Sequence, residues 1–468
     1  MSFLVDWAVT GRRSLKVLDP ACGDGRFIRG IPGATGIELD PVAAIAASAR
    51  CPRGSITQAD FFAWAPSATN RFDAVVGNPP FIRYQRFVGE QRKRAQEFCA
   101  SHGVALSGLS SSWASFVIGA ASMLRPGGRL AFVVPAEISY AVYAKPVLRF
   151  LLGAFKSVAL FAPRKRLFPH LSEDCWLLRA HGFGGTATKL TLSLSEEFAG
   201  RSTVWSTEEI LVSDVIREDY RLRLFLLPPK IRSLYERLKV ASGIRRLGDI
   251  ATVSIGYVSG ANDFFHLSPS QAEKLCIPPE CLQPSVRSNR DLARSAVSDS
   301  VVAEWRALDR PHLLLRLPRQ GFLPPSVAKY LKSAAGIDAA SSFKCRNREP
   351  WYSVPDVRTP AAFLSIMAQQ QPRLVGNFAN CTCTNSVHYV SFKNGGKIAD
   401  LMRVWKGPLT ELSCEVQGHH LGGGMLKLEP AEARAVLISL ERPLTLSEAK
   451  LLREGSILLR AWRTPRGR

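Results

Sequence analysis

The chain has 468 residues, enough for two or three domains, and its 46% hydrophobic and 21% charged residues are ordinary for a globular protein. Lys and Arg number 61 against 39 Asp and Glu, and the resulting net charge of +22 favours a polyanionic partner. No apolar run is long enough to span a bilayer, and the first residues do not form a signal peptide. We therefore expect a cytoplasmic protein with no membrane partner.

The ten cysteines are scattered along the chain. Cys381 and Cys383 form a lone Cys-x-Cys pair, and no second pair stands at the spacing of a zinc finger. We predict no metal site and interpret the cysteines as reduced, buried thiols.

Strand and helix patterns alternate along roughly the first 180 residues, which is typical of a parallel sheet covered on both faces. Residues 26–29 begin one predicted helix, and residues 41–50, 113–124 and 145–152 form others. The predicted strands comprise residues 15–18, 34–39, 55–59, 74–76, 129–134, 158–161 and 175–180. The first part of the chain is thus predicted to be an α/β domain.

The pattern changes after about residue 184, where short strand-like runs are broken by Gly, Pro and Asn. Two helices are predicted in this part, at residues 229–239 and 444–459. We divide the chain into an α/β domain at 1–205, a basic linker with a helix at 206–244, a second domain at 245–440, and a C-terminal helix with a basic tail at 441–468.

The fourth predicted strand ends in Gly77-Asn78-Pro79-Pro80-Phe81, and its carboxyl end is where an open α/β sheet binds ligands. The side-chain carbonyl of Asn78 and the backbone carbonyl of Pro79 are two adjacent acceptors, which suit an NH₂ group that donates two hydrogens. Phe81 adds an apolar surface. The motif predicts a site for the amino group of a planar base, although Asn-Pro is also a common turn.

Three earlier strand ends carry residues suited to a nucleoside. Residues 19–25 form a glycine-containing turn that allows close approach of a ligand, and Glu38 can accept from both hydroxyls of a ribose. Asp60 can accept from an adenine amino group, and Phe61 can stack on the ring. Each residue alone has an ordinary structural interpretation, but together they predict an adenosine pocket without a pyrophosphate.

These motifs, in this order, resemble the TaqI-like (γ-group) adenine-N6 DNA methyltransferases. The resemblance implies a Rossmann-like class I methyltransferase domain with a mostly parallel seven-stranded sheet, followed by a mixed α+β target-recognition domain. It implies S-adenosyl-L-methionine as cofactor and site-specific methylation of a flipped-out adenine in double-stranded DNA. It further implies a restriction-modification or related defence system in a bacterial or archaeal cytosol, with a cognate restriction endonuclease as a partner that such a system allows.

The resemblance also implies roles for individual residues. The cofactor site would comprise Asp19, Ala21, Cys22, Gly23, Glu38, Asp60, Phe61 and Asn78. The catalytic loop would comprise Asn78, Pro79, Pro80 and Phe81, and Phe81 and Phe168 would stack on the target base.

In the second half, residues 248–265, 348–352 and 420–424 resemble parts of the family's target-recognition domain. DNA contacts are predicted for Lys344, Arg346, Arg348 and Trp351.

One departure from the family pattern is the lack of a Thr-Pro segment before the first strand, where residues 3–8 resemble only the helix that follows it. Two alternatives stay open. The Asn-Pro-Pro motif also occurs in methyltransferases that act on guanine in ribosomal RNA or on glutamine in proteins. The chain could otherwise be a non-catalytic DNA-binding subunit with an impaired cofactor site.

Overall fold

A computed structural model describes residues 1–11, 15–69, 71–168, 173–217, 221–421 and 424–464. The contacts divide the chain into two compact units, and the boundary lies between Leu226 and Leu227. Among the described helices, none is both long and apolar enough to cross a membrane.

The first unit is built on one sheet of nine strands. The strands are β1 Val17–Asp19, β2 Thr35–Glu38, β3 Ser55–Gln58, β4 Phe72–Gly77, β5 Leu124–Pro135, β6 Phe155–Pro163, β7 Cys175–Phe183, β8 Lys189–Ser195 and β9 Ser206–Leu211. Their spatial order is β3-β2-β1-β4-β5-β7-β6-β8-β9.

The first five strands of this order are parallel to one another, as the alternation of strands and helices predicted. Strand β7 is antiparallel to both β5 and β6. The prediction of seven strands was wrong, because β8 pairs with β6 in parallel and β9 pairs antiparallel with β8. Strand β9 therefore belongs to the sheet, although the sequence assigned its residues to the linker.

Helices of the first unit follow most of the strands. They are α1 Ser2–Val9, α2 Pro41–Arg50, α3 Phe61–Trp64, α4 Gly89–Ser101, α5 Ser112–Ser122, α6 Ala144–Ala154 and α7 Val212–Val215. The predicted range of α2 is confirmed. The side chain of Asp40 accepts from the N–H of Ala43 and so caps this helix, with Pro41 at its first position.

The helix predicted to begin at residues 26–29 is absent, and turns connect β1 to β2. The stretch lies between two glycines in the left-handed region, Gly25 with a φ of +82° and Gly30 with a φ of +78°, so a helix cannot continue through Gly30. A Cβ on Gly25 would also lie 2.9 Å from the Cys51 sulfur.

The core on one face of the sheet combines α1 with the central strands. Leu4 and Ala8 of α1 pack with Val17, Ala74 and Val133.

The second unit mixes short helices with several small sheets, and this confirms the predicted α+β character. Its helices are α8 Pro229–Lys239, α9 Leu247–Ile250, α10 Asn262–Phe265, α11 Pro269–Lys274, α12 Asp299–Ala307, α13 Pro325–Leu331, α14 Ala334–Ser341, α15 Phe343–Arg346, α16 Ile398–Trp405, α17 Pro408–Gln417, α18 Pro430–Ala435 and α19 Leu446–Arg463.

The strands of the second unit form sheets of five, four, three and two strands, ordered β11-β20-β16-β18-β14, β12-β15-β13-β19, β17-β22-β21 and β10-β23. The strands are β10 Ile244–Arg246, β11 Ala251–Ile255, β12 His266–Leu267, β13 Leu282–Val286, β14 Ala296–Val297, β15 Leu313–Leu315, β16 Ala362–Ser365, β17 Met367–Ala368, β18 Leu374–Asn377, β19 Thr382–Cys383, β20 Val387–Phe392, β21 His419–Leu421, β22 Met425–Lys427 and β23 Leu437–Ser439.

A buried ion pair joins α17 and α19 within the second unit. The side chains of Arg463 and Glu415 are 0% and 1% exposed, and the guanidinium donates to the carboxylate at 2.7 and 2.8 Å. Arg460 also donates to Glu415, at 3.3 Å, and to Glu411, at 2.7 Å. Helix α19 therefore packs as part of the second unit.

We expect Glu415→Gln to lower the free energy of unfolding by about 3–5 kcal/mol, because it leaves the buried Arg463 cation without its counter-charge. Urea denaturation checks this. The control is Glu304→Gln, which breaks the exposed pair of Glu304 and Arg294 and should cost at most about 1 kcal/mol. Equal losses in the two variants would contradict the assigned role of burial.

Candidate active site

The carboxyl ends of four adjacent parallel strands meet at one edge of the first sheet. The strands stand in the order β3-β2-β1-β4. Asp19 and Glu38 are the last residues of β1 and β2, Asp60 follows β3, and Asn78 follows β4 directly. The structure thus brings the four predicted strand ends to the same edge, where open α/β sheets bind their ligands.

Glu38 fixes the turn that follows β1. The N–H of Gly23 donates to Glu38 Oε2 at 2.7 Å, and the N–H of Asp40 donates to Oε1 at 2.8 Å. Each carboxylate oxygen can accept more than one hydrogen bond. Glu38 is therefore held in place and retains the capacity to accept from a pair of hydroxyl groups.

Asp19 is buried, with 1% of its surface exposed. Its Oδ1 accepts from the N–H of Ala21 at 3.2 Å, whereas Oδ2 has no hydrogen-bond partner among the described residues. Burial, together with the nearby charge of Glu38, raises the pKa of this carboxyl to about 8. A cationic hydrogen-bond donor at Oδ2 would supply the missing partner and would also stabilise the charged form of the carboxyl.

Gly77 allows this arrangement. A Cβ on Gly77 would lie 2.6 Å from Asp19 Oδ1, which is closer than any real contact of that kind. The last residue of β4 must therefore lack a side chain for β1 and β4 to carry the acid and the Asn-Pro-Pro loop side by side.

Asp60 repeats the pattern of Asp19. Its Oδ1 accepts from the N–H of Phe62 at 2.9 Å and caps α3, while its buried Oδ2 makes no hydrogen bond within the described parts of the chain. The nearest cation is Arg94, whose Nη1 lies 3.8 Å from Oδ2. Two carboxylate oxygens at this edge of the sheet thus lack a donor.

Phe61 lies in the interior. Its side chain is 2% exposed and stacks on Phe116 with ring centroids 5.6 Å apart. Cys22 also points into the core, and burial raises the pKa of its thiol to about 12. Neither side chain presents a surface to a ligand here, so their predicted cofactor contacts stay predictions.

The Asn-Pro-Pro-Phe loop is held by one buried serine. The N–H of Ile82 donates to Ser112 Oγ at 2.9 Å, and the Ser112 hydroxyl donates to the carbonyl of Pro80. The N–H of Ser112 donates to the carbonyl of Ile82 at 3.0 Å. Three hydrogen bonds from the start of α5 therefore fix the loop, in which the prolines cannot donate.

Within this loop the side chains face different surroundings. Asn78 is exposed, Pro79 is buried, and Phe81 is half-buried against the core. Phe168, the second predicted stacking residue, is 38% exposed. Its neighbour Pro169 lies outside the described residues.

Two of the residues predicted to contact DNA serve the packing of the second unit. Arg348 Nη2 donates to the carbonyls of Val258 and Ser259 at 2.8 and 2.6 Å. Trp351 packs against Phe264, with ring centroids 5.7 Å apart. These contacts give no support to a DNA contact from either residue, which stays a prediction.

The other two predicted DNA contacts are exposed. Lys344 Nζ and Arg346 Cζ lie 5.8 and 5.4 Å from the centroid of the Phe343 ring, which is itself 65% exposed. The two cations therefore border an accessible aromatic ring that the sequence analysis did not single out. Part of the predicted segment 420–424 lies outside the described residues.

Sequence reasoning also missed Ser112 and the close approach at Gly77. The contact of Ser112 with the loop spans about 30 residues of sequence and leaves no local pattern. Gly77 belongs to the recognised motif, but its reason for being glycine depends on the neighbouring strand.

Comparison with known families gives two matches along the chain. Residues 221–463 match the model of the C-terminal domain of type II methyltransferase M.Eco57I. Residues 50–162 match the model of the Eco57I restriction-modification methylase.

Individual relatives share low identity over much of their length. Type II methyltransferase M.XamI of Xanthomonas campestris pv. amaranthicola is 24% identical over 456 residues, which are 93% of this chain and 82% of that protein. Type II methyltransferase M.AccI of Acinetobacter calcoaceticus is 19% identical over 380 residues, 77% of this chain and 68% of that protein.

Among solved structures, the Type IIL restriction-modification enzyme MmeI in complex with DNA is similar, with a TM-score of 0.52 and 12% identity. The similarity covers 95% of this chain and 64% of that one, so this chain spans less than two thirds of MmeI. It shows a shared fold.

We expect Asp19→Asn to change how stability depends on pH. The carboxyl binds its proton more tightly in the folded state, because its pKa rises from 3.8 to about 8 on burial. Wild-type stability should thus fall as pH rises between these values, by up to about 1.4 kcal/mol per pH unit, and level off above them. The amide variant lacks this loss.

Urea denaturation of the ligand-free protein across this pH range measures the effect. The control is Asp40→Asn, at an exposed helix cap where asparagine also caps. The stability difference between Asp19→Asn and wild type should grow with pH, whereas the control should run parallel to wild type. If the stability of Asp19→Asn also ran parallel to that of wild type, a raised pKa of the buried Asp19 carboxyl would be contradicted.

Proposed function

This chain belongs to the Eco57I-like family of type II restriction-modification methyltransferases, and we propose that it methylates the N6 amino group of adenine in double-stranded DNA. The methyl donor is S-adenosyl-L-methionine, and the target adenine is flipped out of the duplex. The finer assignment to the TaqI-like (γ) group is part of the same proposal.

The observation that carries the proposal is the clamped loop after β4. An exocyclic adenine amine is a poor nucleophile because its lone pair is delocalised into the ring. Acceptance of both N–H bonds, by Asn78 Oδ1 and the Pro79 carbonyl, localises that lone pair. The acceptors also stabilise the positive charge that develops on nitrogen. Because Ser112 fixes the loop through Pro80 and Ile82, the acceptors need little reorganisation when the reaction occurs.

The residues at the strand ends fit the cofactor. S-adenosyl-L-methionine supplies an electrophilic methyl group when bound. Its ammonium group would pair with Asp19 Oδ2 and its adenine amino group with Asp60 Oδ2, the two oxygens that lack a donor. Glu38, anchored by Gly23 and Asp40, would accept from the ribose hydroxyls. The cofactor would thereby satisfy the groups that folding leaves unsatisfied.

The base must leave the stack to reach the loop, at a cost of a few kcal/mol. Stacking on aromatic side chains returns about 1–3 kcal/mol per base. Phe81, half-buried beside the acceptors, and Phe168, with 38% of its surface exposed, are suited to this task. The net charge of +22 and the exposed pair Lys344 and Arg346 favour duplex DNA as the polymer that presents the base. A cognate restriction endonuclease is a further proposed partner.

We expect Asn78→Ala to lower the rate of methyl transfer by at least about 100-fold, the size of effect seen when one aimed polar group is removed from an active site. Binding of duplex DNA should be retained, because Asn78 is exposed and its side chain makes no hydrogen bond with another described residue. The measurement is transfer of labelled methyl groups to duplex DNA, ribosomal RNA and protein side by side. Digestion to nucleosides then identifies the modified base.

The control is Asn394→Ala, an exposed asparagine of the second unit, which should behave as wild type. Label in RNA or protein but not in DNA would overturn the proposed substrate. Wild-type turnover by Asn78→Ala would overturn the proposed role of the loop.

A further inference from the structure

The segment that follows the Asn-Pro-Pro-Phe loop is strongly basic. Between residues 83 and 94 it carries one acid, Glu90, and five cations, namely Arg83, Arg86, Arg92, Lys93 and Arg94. It runs from the exit of the loop into the first two turns of α4, and we call residues 83–94 the basic segment. The proposed function gives it no role so far.

One end of the basic segment follows the candidate loop directly in sequence, and the other end contacts a residue of the candidate site. Arg83 lies 3.2 Å from Glu173, which precedes β7 and follows the stretch that holds Phe168. Arg94 lies 3.8 Å from Asp60. The segment therefore lies beside the proposed base pocket at one end and beside the proposed cofactor site at the other.

Two cations of the basic segment have no acidic partner among the residues that the structure describes. Arg86 and Lys93 are exposed, and neither forms an ion pair or side-chain hydrogen bond with the residues that the structure describes. Tyr84 and Val88, which alternate with the cations, are 36% and 57% exposed. Basic side chains interleaved with accessible aromatic or apolar ones are typical of a nucleic-acid surface.

The position of the cations on α4 argues against a role in helix stability. Arg92, Lys93 and Arg94 lie in the amino-terminal half of the helix, and its last turn carries no basic residue. Cations stabilise a helix near its carboxyl end, where they offset the dipole. This placement instead adds their charge to the positive end of the helix, which favours binding of an anion.

We propose that the basic segment is a phosphate-binding surface, which holds the DNA backbone next to the flipped nucleotide. This inference rests on the proposed function, because it takes duplex DNA as the ligand. Arg86 and Lys93 would contact phosphates directly, since neither has a competing partner in the described part of the chain. Arg83 and Arg94, which already face Glu173 and Asp60, would position the segment beside the site.

The test uses the full-length double variant Arg86→Ala/Lys93→Ala and a short duplex of mixed sequence. We expect binding at low salt to weaken about tenfold for each lost phosphate contact. The plot of log K against log salt concentration should become less steep, with the magnitude of its slope smaller by about 1.8 for the two contacts. Fluorescence anisotropy of the labelled duplex measures both quantities, and cofactor binding, measured by calorimetry, should not change.

The matched control is Arg29→Ala/Arg53→Ala, which removes the same charge from two exposed arginines in the turns that lead into β2 and β3. Neither arginine is among the residues assigned to the candidate site. A gain-of-binding variant, Glu90→Gln, removes the lone acid of the basic segment and should tighten binding. It supports the inference even if the double variant were to lose stability.

The outcomes separate this inference from the proposed function. If wild type binds DNA with a steep salt slope and the double variant does the same, the basic segment is not the phosphate surface and the proposed function stands. An equal loss in the control would show an effect of net charge alone and would overturn the inference. A flat salt response of wild type, without methylated DNA, would overturn the proposed function itself.

Discussion

The candidate site depends on the hydrogen bonds that Ser112 makes with the loop of residues 78–82. An amide oxygen and a peptide carbonyl are weak groups by themselves, and they can act on an amine only if they are aimed in advance. The loop has little means to hold itself, because Pro79 and Pro80 donate no hydrogen bond. The buried hydroxyl and N–H of Ser112 supply the missing partners from the start of α5.

The same edge of the sheet carries groups that folding leaves unsatisfied. Asp19 and Asp60 each use one oxygen to order a neighbouring backbone and bury the other without a donor. A buried acceptor without a partner costs about 1–3 kcal/mol of stability, which a ligand with matching donors can return. Under the proposed function, the bound cofactor would supply these donors and so stabilise the folded protein.

Much of this arrangement could be predicted because parallel strands place their ends at one edge, so four motifs in sequence order become four neighbours in space. The turn at residues 23–30 could not, since the close approach of Gly25 to Ala47 of α2 depends on the fold and leaves no local pattern. Strands β8 and β9 were missed because they follow β7 without an intervening α-helix, so the alternation of strands and helices no longer marks them. Ser112 was missed because its partners lie about 30 residues away. Composition likewise could not tell that Arg348 binds backbone carbonyls.

A positively charged side chain indicates a surface for a polyanion only if no acidic side chain of the protein neutralises it. Arg463 and Arg460 are neutralised by Glu415 and Glu411, so they hold α19 in place and leave little field outside the protein. The net charge of +22 is thus carried unevenly, and exposed cations without acidic neighbours contribute most to attraction of a polyanion. Binding of phosphate releases counterions only where cations are accessible, so their location, rather than their number, decides which surface faces DNA.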